Sequence, residues 1–286
     1  MNKIVSVMFC FLLVSSTIIF PIQAFESEQD DIIYVDDDNT EGPWDGSFEH
    51  PFQYIQDGLD AASEGDTVFV FNGVYHESIH MGGSSIQLIG ESNYNTIIDG
   101  KGSSHIVYIG PSSVSISNVT IMNSSSSGRG IVIGGILSCI NSTVNNTIIN
   151  NTGYGIYTSI TVFGEEHGQH RIINNIIKNS QICGLQFYNT DLSTMERNTF
   201  TQNTLAINLS GSSGNIIKQN NFIDNHRNAM FEKAYFTTWN RNYYSNHEKT
   251  SPYIIHGTLF RIKMPWLNFD WHPASEPYDI DGGGGL

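Results

Sequence analysis

Between residues 118 and 246, polar corners alternate with short apolar runs. The pattern Asn-x-(apolar or Thr)-x-x-Asn occurs six times: Asn118–Asn123, Asn146–Asn151, Asn174–Asn179, Asn198–Asn203, Asn220–Asn225 and, with Arg in the first place, Arg241–Asn246. The starts lie 28, 28, 24, 22 and 21 residues apart. A drifting period of this size marks a solenoid, whose units are too short to bury a face alone and must stack to share a core. Runs such as Gly155-Ile156-Tyr157, Gly184-Leu185-Gln186-Phe187 and Ala206-Ile207-Asn208-Leu209 follow the hexapeptides and alternate with period two, which is the strand signature. Ile, Val, Phe, Tyr and Thr fill them, as strands prefer. Asn suits the corners because it tolerates left-handed backbone and bonds its own neighbours. The predicted fold class is all-β: a single-stranded right-handed parallel β-helix with two or three short strands per turn. Equivalent places in the repeat predict one stacked column of Ile148, Ile177, Phe200, Phe222 and Tyr243.

One segment departs from the strand pattern. Phe52, Ile55, Leu59 and Ala62 share a helical face behind Pro51, predicting an amphipathic helix over about 51–62. Such a helix caps the open end of the apolar core, where unpaired strand edges would invite aggregation. The β-helix is expected over 32–247, after a loose segment at 25–31. From 248 to 280 aromatic residues and prolines crowd in, predicting a C-terminal cap, and 281–286 reads as a Gly-rich tail.

Met1-Asn2-Lys3, the apolar run Ile4–Phe20 and the small residue Ala24 predict a secretory signal over 1–24. Export to the cell surface or medium follows, with no membrane span after cleavage. A net charge of −15 excludes a nucleic-acid surface. Cys139 and Cys183 sit at different places in their repeats and are expected as buried free thiols.

Tyr34-Val-Asp-Asp-Asp-Asn39, Gly65-Asp-Thr-Val68, Gly73-Val-Tyr75, Leu88-Ile-Gly90, the Asn hexapeptides and the ending Asn268-Phe-Asp-Trp-His-Pro273 together carry a resemblance. On these segments the chain resembles the exported right-handed parallel β-helix proteins of the pectin-lyase-like superfamily, and within them NosD-type periplasmic copper-binding and archaeal surface proteins. The resemblance implies the fold over nearly the whole mature chain; it does not imply one activity, because the superfamily hosts many. Polygalacturonases carry four signature segments. Asn189-Thr190-Asp191 and Arg261-Ile262-Lys263 match two of them, but neither Asp-Asp nor Gly-His-Gly lies between. No catalytic residue is assigned, and an enzyme is the less favoured expectation.

Two binding chemistries remain. Glu165, Glu166, His167 and His170 form the densest ligand cluster, in a lengthened turn; a solvated charged loop is the favoured reading, and as a site the cluster suits a divalent ion, zinc or copper better than calcium. Tyr157, Phe187 and Tyr188 lie in strand runs and would offer rings to sugar faces. A structural or polysaccharide-binding role at the cell surface, as a monomer or within a surface assembly, is the first expectation. A lyase or glycoside hydrolase with a non-standard site, and NosD-like copper handling, are the alternatives.

Overall fold

The computed structural model describes residues 31–280, apart from 83–84, 112, 136–138, 161–167, 249–250 and 260–263. The expected signal, the Gly-rich tail and most of the loose N-terminal segment lie outside the described residues.

The chain winds into a right-handed parallel β-helix with three strands per coil. One coil shows the order: Arg171–Ile173 on a first face, Ile176–Lys178 on a second, Cys183–Tyr188 on a third, then Thr194–Glu196 back on the first. Each strand pairs in parallel with its counterparts in the coils before and after.

In-register pairing turns the apolar alternation into three inward columns. The first face contributes Val68, Leu88, Ile116, Val144, Ile172, Met195, Ile217 and Trp239, all buried. The second contributes Ile98, Ile121, Ile149, Ile177, Phe200, Phe222 and Tyr244. The third contributes Ile79, Val107, Ile131, Ile156, Leu185, Ile207 and Ala229.

The second-face column corrects the predicted one at both ends: Ile149 and Tyr244 point inward where Ile148 and Tyr243 were expected. Register is set by the polar residue just after each left-handed corner. Asn146, Asn174, Arg197, Gln219 and Arg241 take positive φ, and Thr147, Asn175, Asn198, Asn220 and Asn242 follow them into the wall. These form a buried ladder. The Oδ1 of Asn198 accepts from the backbone N–H of Asn175 at 3.0 Å and from its Nδ2 at 3.0 Å. Asn220 does the same for Asn198, and Asn242 for Asn220. Each amide also donates to a backbone carbonyl, as Asn198 does to Ile172 and Asn220 to Met195. Buried amides are tolerated because every group has a partner.

Both ends are closed. The helix spans Ile55–Ala61, later than predicted, because Phe52 is drawn into an extended bridge with Val35 and Tyr54 keeps extended backbone. Ile55 and Leu59 bury against the first coil. The Glu77 carboxylate accepts the N–H groups of Ile55 and Gln56 at 2.9 and 3.1 Å, satisfying two of the donors a helix start leaves open. At the other end Tyr253–Leu259 and Met264–Asp270 pair antiparallel, laying Tyr253 flat on Tyr244 with centroids 3.6 Å apart.

Candidate functional site

The two predicted binding clusters meet different fates. Glu165, Glu166 and His167 lie outside the described residues. His170 lies within them, and the structure gives it another role. It is 1% exposed and occupies a ladder position on the first face. Its Nδ1 accepts the Ser142 N–H at 3.3 Å, and its own N–H donates to Ser193 Oγ at 3.0 Å. Asn215 repeats the motif two coils on from His170, accepting the Ser193 N–H at 2.9 Å. The imidazole therefore stands in for an Asn carbonyl, with its proton on Nε2, which is buried without an acceptor.

Burial pushes His170 down to about 4, from an ordinary value near 6.5. The unfolded chain then takes up a proton first as pH falls, so the folded state loses stability between about pH 6.5 and pH 4. The expected loss is about 3 kcal/mol. His170→Asn, which keeps a ladder acceptor, should flatten that part of the pH–stability curve. Urea melts at pH 7.5 and 4.5 on both proteins check it; equal slopes would contradict the assignment.

The aromatic cluster divides by strand parity. Phe187 is fully buried between Thr158 and Leu209 in the wall, so it is core and not a sugar platform, correcting that expectation. Tyr157 and Tyr188 point outward on the third face: Tyr157 is half-buried and Tyr188 exposed. The structure adds neighbours. Tyr154 packs edge-on to Tyr157 with centroids 5.4 Å apart. The Arg129 guanidinium carbon lies 4.5 Å from the Tyr157 centroid and 5.7 Å from that of Tyr154. Two coils toward the N-terminus from Tyr157, Tyr108 contacts His80 edge-on at 4.8 Å and His105 at 6.3 Å. From His80 to Tyr188 these outward residues span five coils, about 19 Å at the usual strand spacing, with Val132 between Tyr108 and Tyr157, and with Tyr188 two residues along its strand from Gln186, the partner of Tyr157.

Arg129 makes no ion pair among the described residues, and its Nε is buried without a hydrogen-bond partner. Its guanidinium is held on two ring faces, an arrangement worth about 0.5–2 kcal/mol. Tyr108 shares the outward register of Tyr157 only through coil stacking, by way of Val132; Arg129 follows the serine run 124–127, where the sequence carries no periodic signal.

A parallel β-helix capped by an N-terminal helix is pectin-lyase-like by fold. The family model of the periplasmic copper-binding protein (NosD) matches residues 59–261, and the chain belongs to that family. No curated protein matches the sequence. Among solved structures, a rhamnogalacturonan lyase is similar at 11% identity and TM-score 0.52, over 76% of this chain and 71% of that one. The GH136 lacto-N-biosidase from Eubacterium ramulus is similar at 10% identity and TM-score 0.48, over 74% of this chain and 60% of its own. Carrot pectin methylesterase is similar at 12% identity and TM-score 0.46, over 76% and 84%. The chain thus spans 60% of the lacto-N-biosidase's length.

The family description raises copper. The described residues do not fit a copper centre: no three His, Cys, Asp or Glu side chains among them converge. Cys139 and Cys183 are buried and form no disulfide among the described residues, and burial pushes Cys183 up to about 12, far from the thiolate a copper ligand supplies. His76 instead faces Asp99 at 3.7 Å.

Proposed function

We propose that the protein is an extracytoplasmic β-helix that binds polysaccharide along its third face. The observation that carries this reading is the outward row of Tyr108, Tyr154, Tyr157 and Tyr188 with Arg129 held between two of the rings. Tyr rings give flat apolar platforms with a polar tip, suited to the alternating CH faces and hydroxyls of a sugar chain. Arg129 keeps free donors for ligand oxygens. The rigid ladder fixes the spacing of these rings, so little ordering cost falls on binding. The proposed chemistry is retention of a glycan. The periplasmic setting of the family supports an extracytoplasmic location, and among the described residues no helix is long and apolar enough to cross a membrane.

Affinity electrophoresis against a panel of soluble polysaccharides tests the reading. Tyr157→Ala should weaken retention at least tenfold, about 1.4 kcal/mol. Tyr94→Ala, at an exposed ring away from the row, should change nothing. Equal retention of the wild type and Tyr157→Ala would overturn the proposal.

A further inference from the structure

The two ends of the solenoid treat their strand edges differently. At the N-terminal end, each strand that opens a face meets a fixed partner. Tyr34, in Ile32–Val35, donates its N–H to the Gly46 carbonyl at 2.8 Å and accepts the Phe52 N–H at 2.9 Å. The Asp37 carboxylate accepts the Val74 N–H at 3.0 Å, and the Gln56 amide oxygen accepts the His80 N–H at 2.8 Å. Caps of this kind stop an edge from pairing with another chain.

The C-terminal end leaves an edge open. Met264–Asp270 pairs along its whole length with Tyr253–Leu259 on one side; on the other, among the described residues, it pairs only at Asp270, with Trp239. Met264, Pro265, Trp266 and Leu267 are all exposed. Nearby bonds show which backbone groups face that edge. The Lys233 N–H donates to the Thr258 carbonyl at 2.9 Å, so Thr258 faces back into the solenoid. Its antiparallel partner Pro265 therefore turns to the open edge, as do Leu267 and Phe269 at two-residue spacing. Leu267 presents an N–H and a carbonyl there; Pro265 presents a carbonyl alone. The Phe269 carbonyl faces the N–H of Trp239, which points this way because Thr238 and Asn240 bond the coil before.

This set of groups is complementary to itself. Two copies related by a two-fold axis at Leu267 exchange a pair of Leu267 N–H to Leu267 carbonyl bonds. On either side the Phe269 N–H meets the Pro265 carbonyl of the other copy. The donor that Pro265 lacks falls opposite the Phe269 carbonyl, which Trp239 already satisfies. A slip that sets Leu267 against Pro265 leaves the Leu267 carbonyl without a donor, so the register is fixed.

We infer that this edge is the docking surface for a second copy of the chain, joined tail to tail into a four-stranded antiparallel sheet. A two-stranded hairpin is marginal alone and gains from added strands. Isologous pairing of this kind closes at two copies. Charge selects the same end: residues 31–99 hold fourteen Asp and Glu and no Lys or Arg, whereas residues 220–280 hold six of each sign. Neither chain end leads to this edge. Asp31 opens the opposite end, and the Asp279 carbonyl is held by Arg197 Nη2 at 3.1 Å, two corners back from Arg241. The inference is independent of glycan retention by the Tyr157 row.

Sedimentation velocity of the purified chain over a dilution series tests it, with circular dichroism as the check on folding. The wild type should sediment as a dimer. Leu267→Pro removes a donor aimed at the second copy and none that the hairpin uses. Leu267→Lys sets two ammonium groups against each other. Each should weaken dimerisation roughly tenfold or more and keep the wild-type spectrum. Ile254→Lys, on the same outward face but one strand in from the edge, should leave the dimer intact. Leu267→Cys should form a disulfide between copies under a mild oxidant, a readout that holds even where another variant misfolds. A wild-type monomer at every concentration, a dimer undiminished in both Leu267→Pro and Leu267→Lys, dissociation by Ile254→Lys alone, or no cross-link in Leu267→Cys would each overturn the inference.

Discussion

Phe222→Ala should destabilise the protein by about 3–5 kcal/mol, the cost of deleting a fully buried ring from a wall that collapses only partly. The ring is 0% exposed and stacks on both sides, 5.4 Å from Phe200 and 5.0 Å from Tyr244, with planes within 9° and 6°. Stacking across coils ties three turns to the terminal Tyr253, so the loss should propagate to the C-terminal end. Urea melts measure it; a change below about 1 kcal/mol would mean that the column is not continuous.

Asp270→Ala is the second large effect. The Asn ladder hands each Oδ1 to the donors of the coil before it, so the last member needs an acceptor that donates nothing. Asp270 provides it, fully buried. One oxygen accepts the Asn242 N–H at 2.8 Å and its Nδ2 at 2.9 Å, and the other accepts the Arg241 N–H at 3.1 Å. Removing the carboxylate strands these three donors, together with the longer contacts from the Tyr244 hydroxyl at 3.4 Å and the His272 N–H at 3.3 Å, at about 1–3 kcal/mol for each that water cannot reach. The expected total is about 4 kcal/mol, with faster amide exchange at Asn242 and Asn220. Asp270→Asn should cost less but not zero, because its NH₂ group competes with the donors it faces. Exchange at Asn242 unchanged in Asp270→Ala would show that the ladder is closed in some other way.

These two effects also show what the sequence reveals and where it stops. The hexapeptides disclose a solenoid, because the corner chemistry of Asn and the two-residue alternation both survive in the chain as written. They do not disclose the exact frame. Where two asparagines adjoin, as at Asn174-Asn175, either can be the left-handed corner, and hydrogen bonding between coils chooses Asn174. That one-residue ambiguity separates Ile148 from Ile149 and Tyr243 from Tyr244. The same parity sends Phe187 inward and Tyr188 outward, which the alternation Leu185-Gln186-Phe187-Tyr188 already implies. His170 is different. Nothing local distinguishes a histidine in a loop from one in a wall, and its role emerges only beside Ser142 and Ser193, which are 28 and 23 residues away. Arg129 and Tyr108 likewise join Tyr157 only through coil stacking.

The central claim is that the third face retains a glycan. A glycan array probed with the purified full chain and with its Tyr157→Ala and Arg129→Gln variants tests it most directly. The account predicts binding of the wild type to a set of extended polysaccharides, with both variants weakened on the same set. Binding by all three proteins alike, or no binding by the wild type to any glycan, would contradict it.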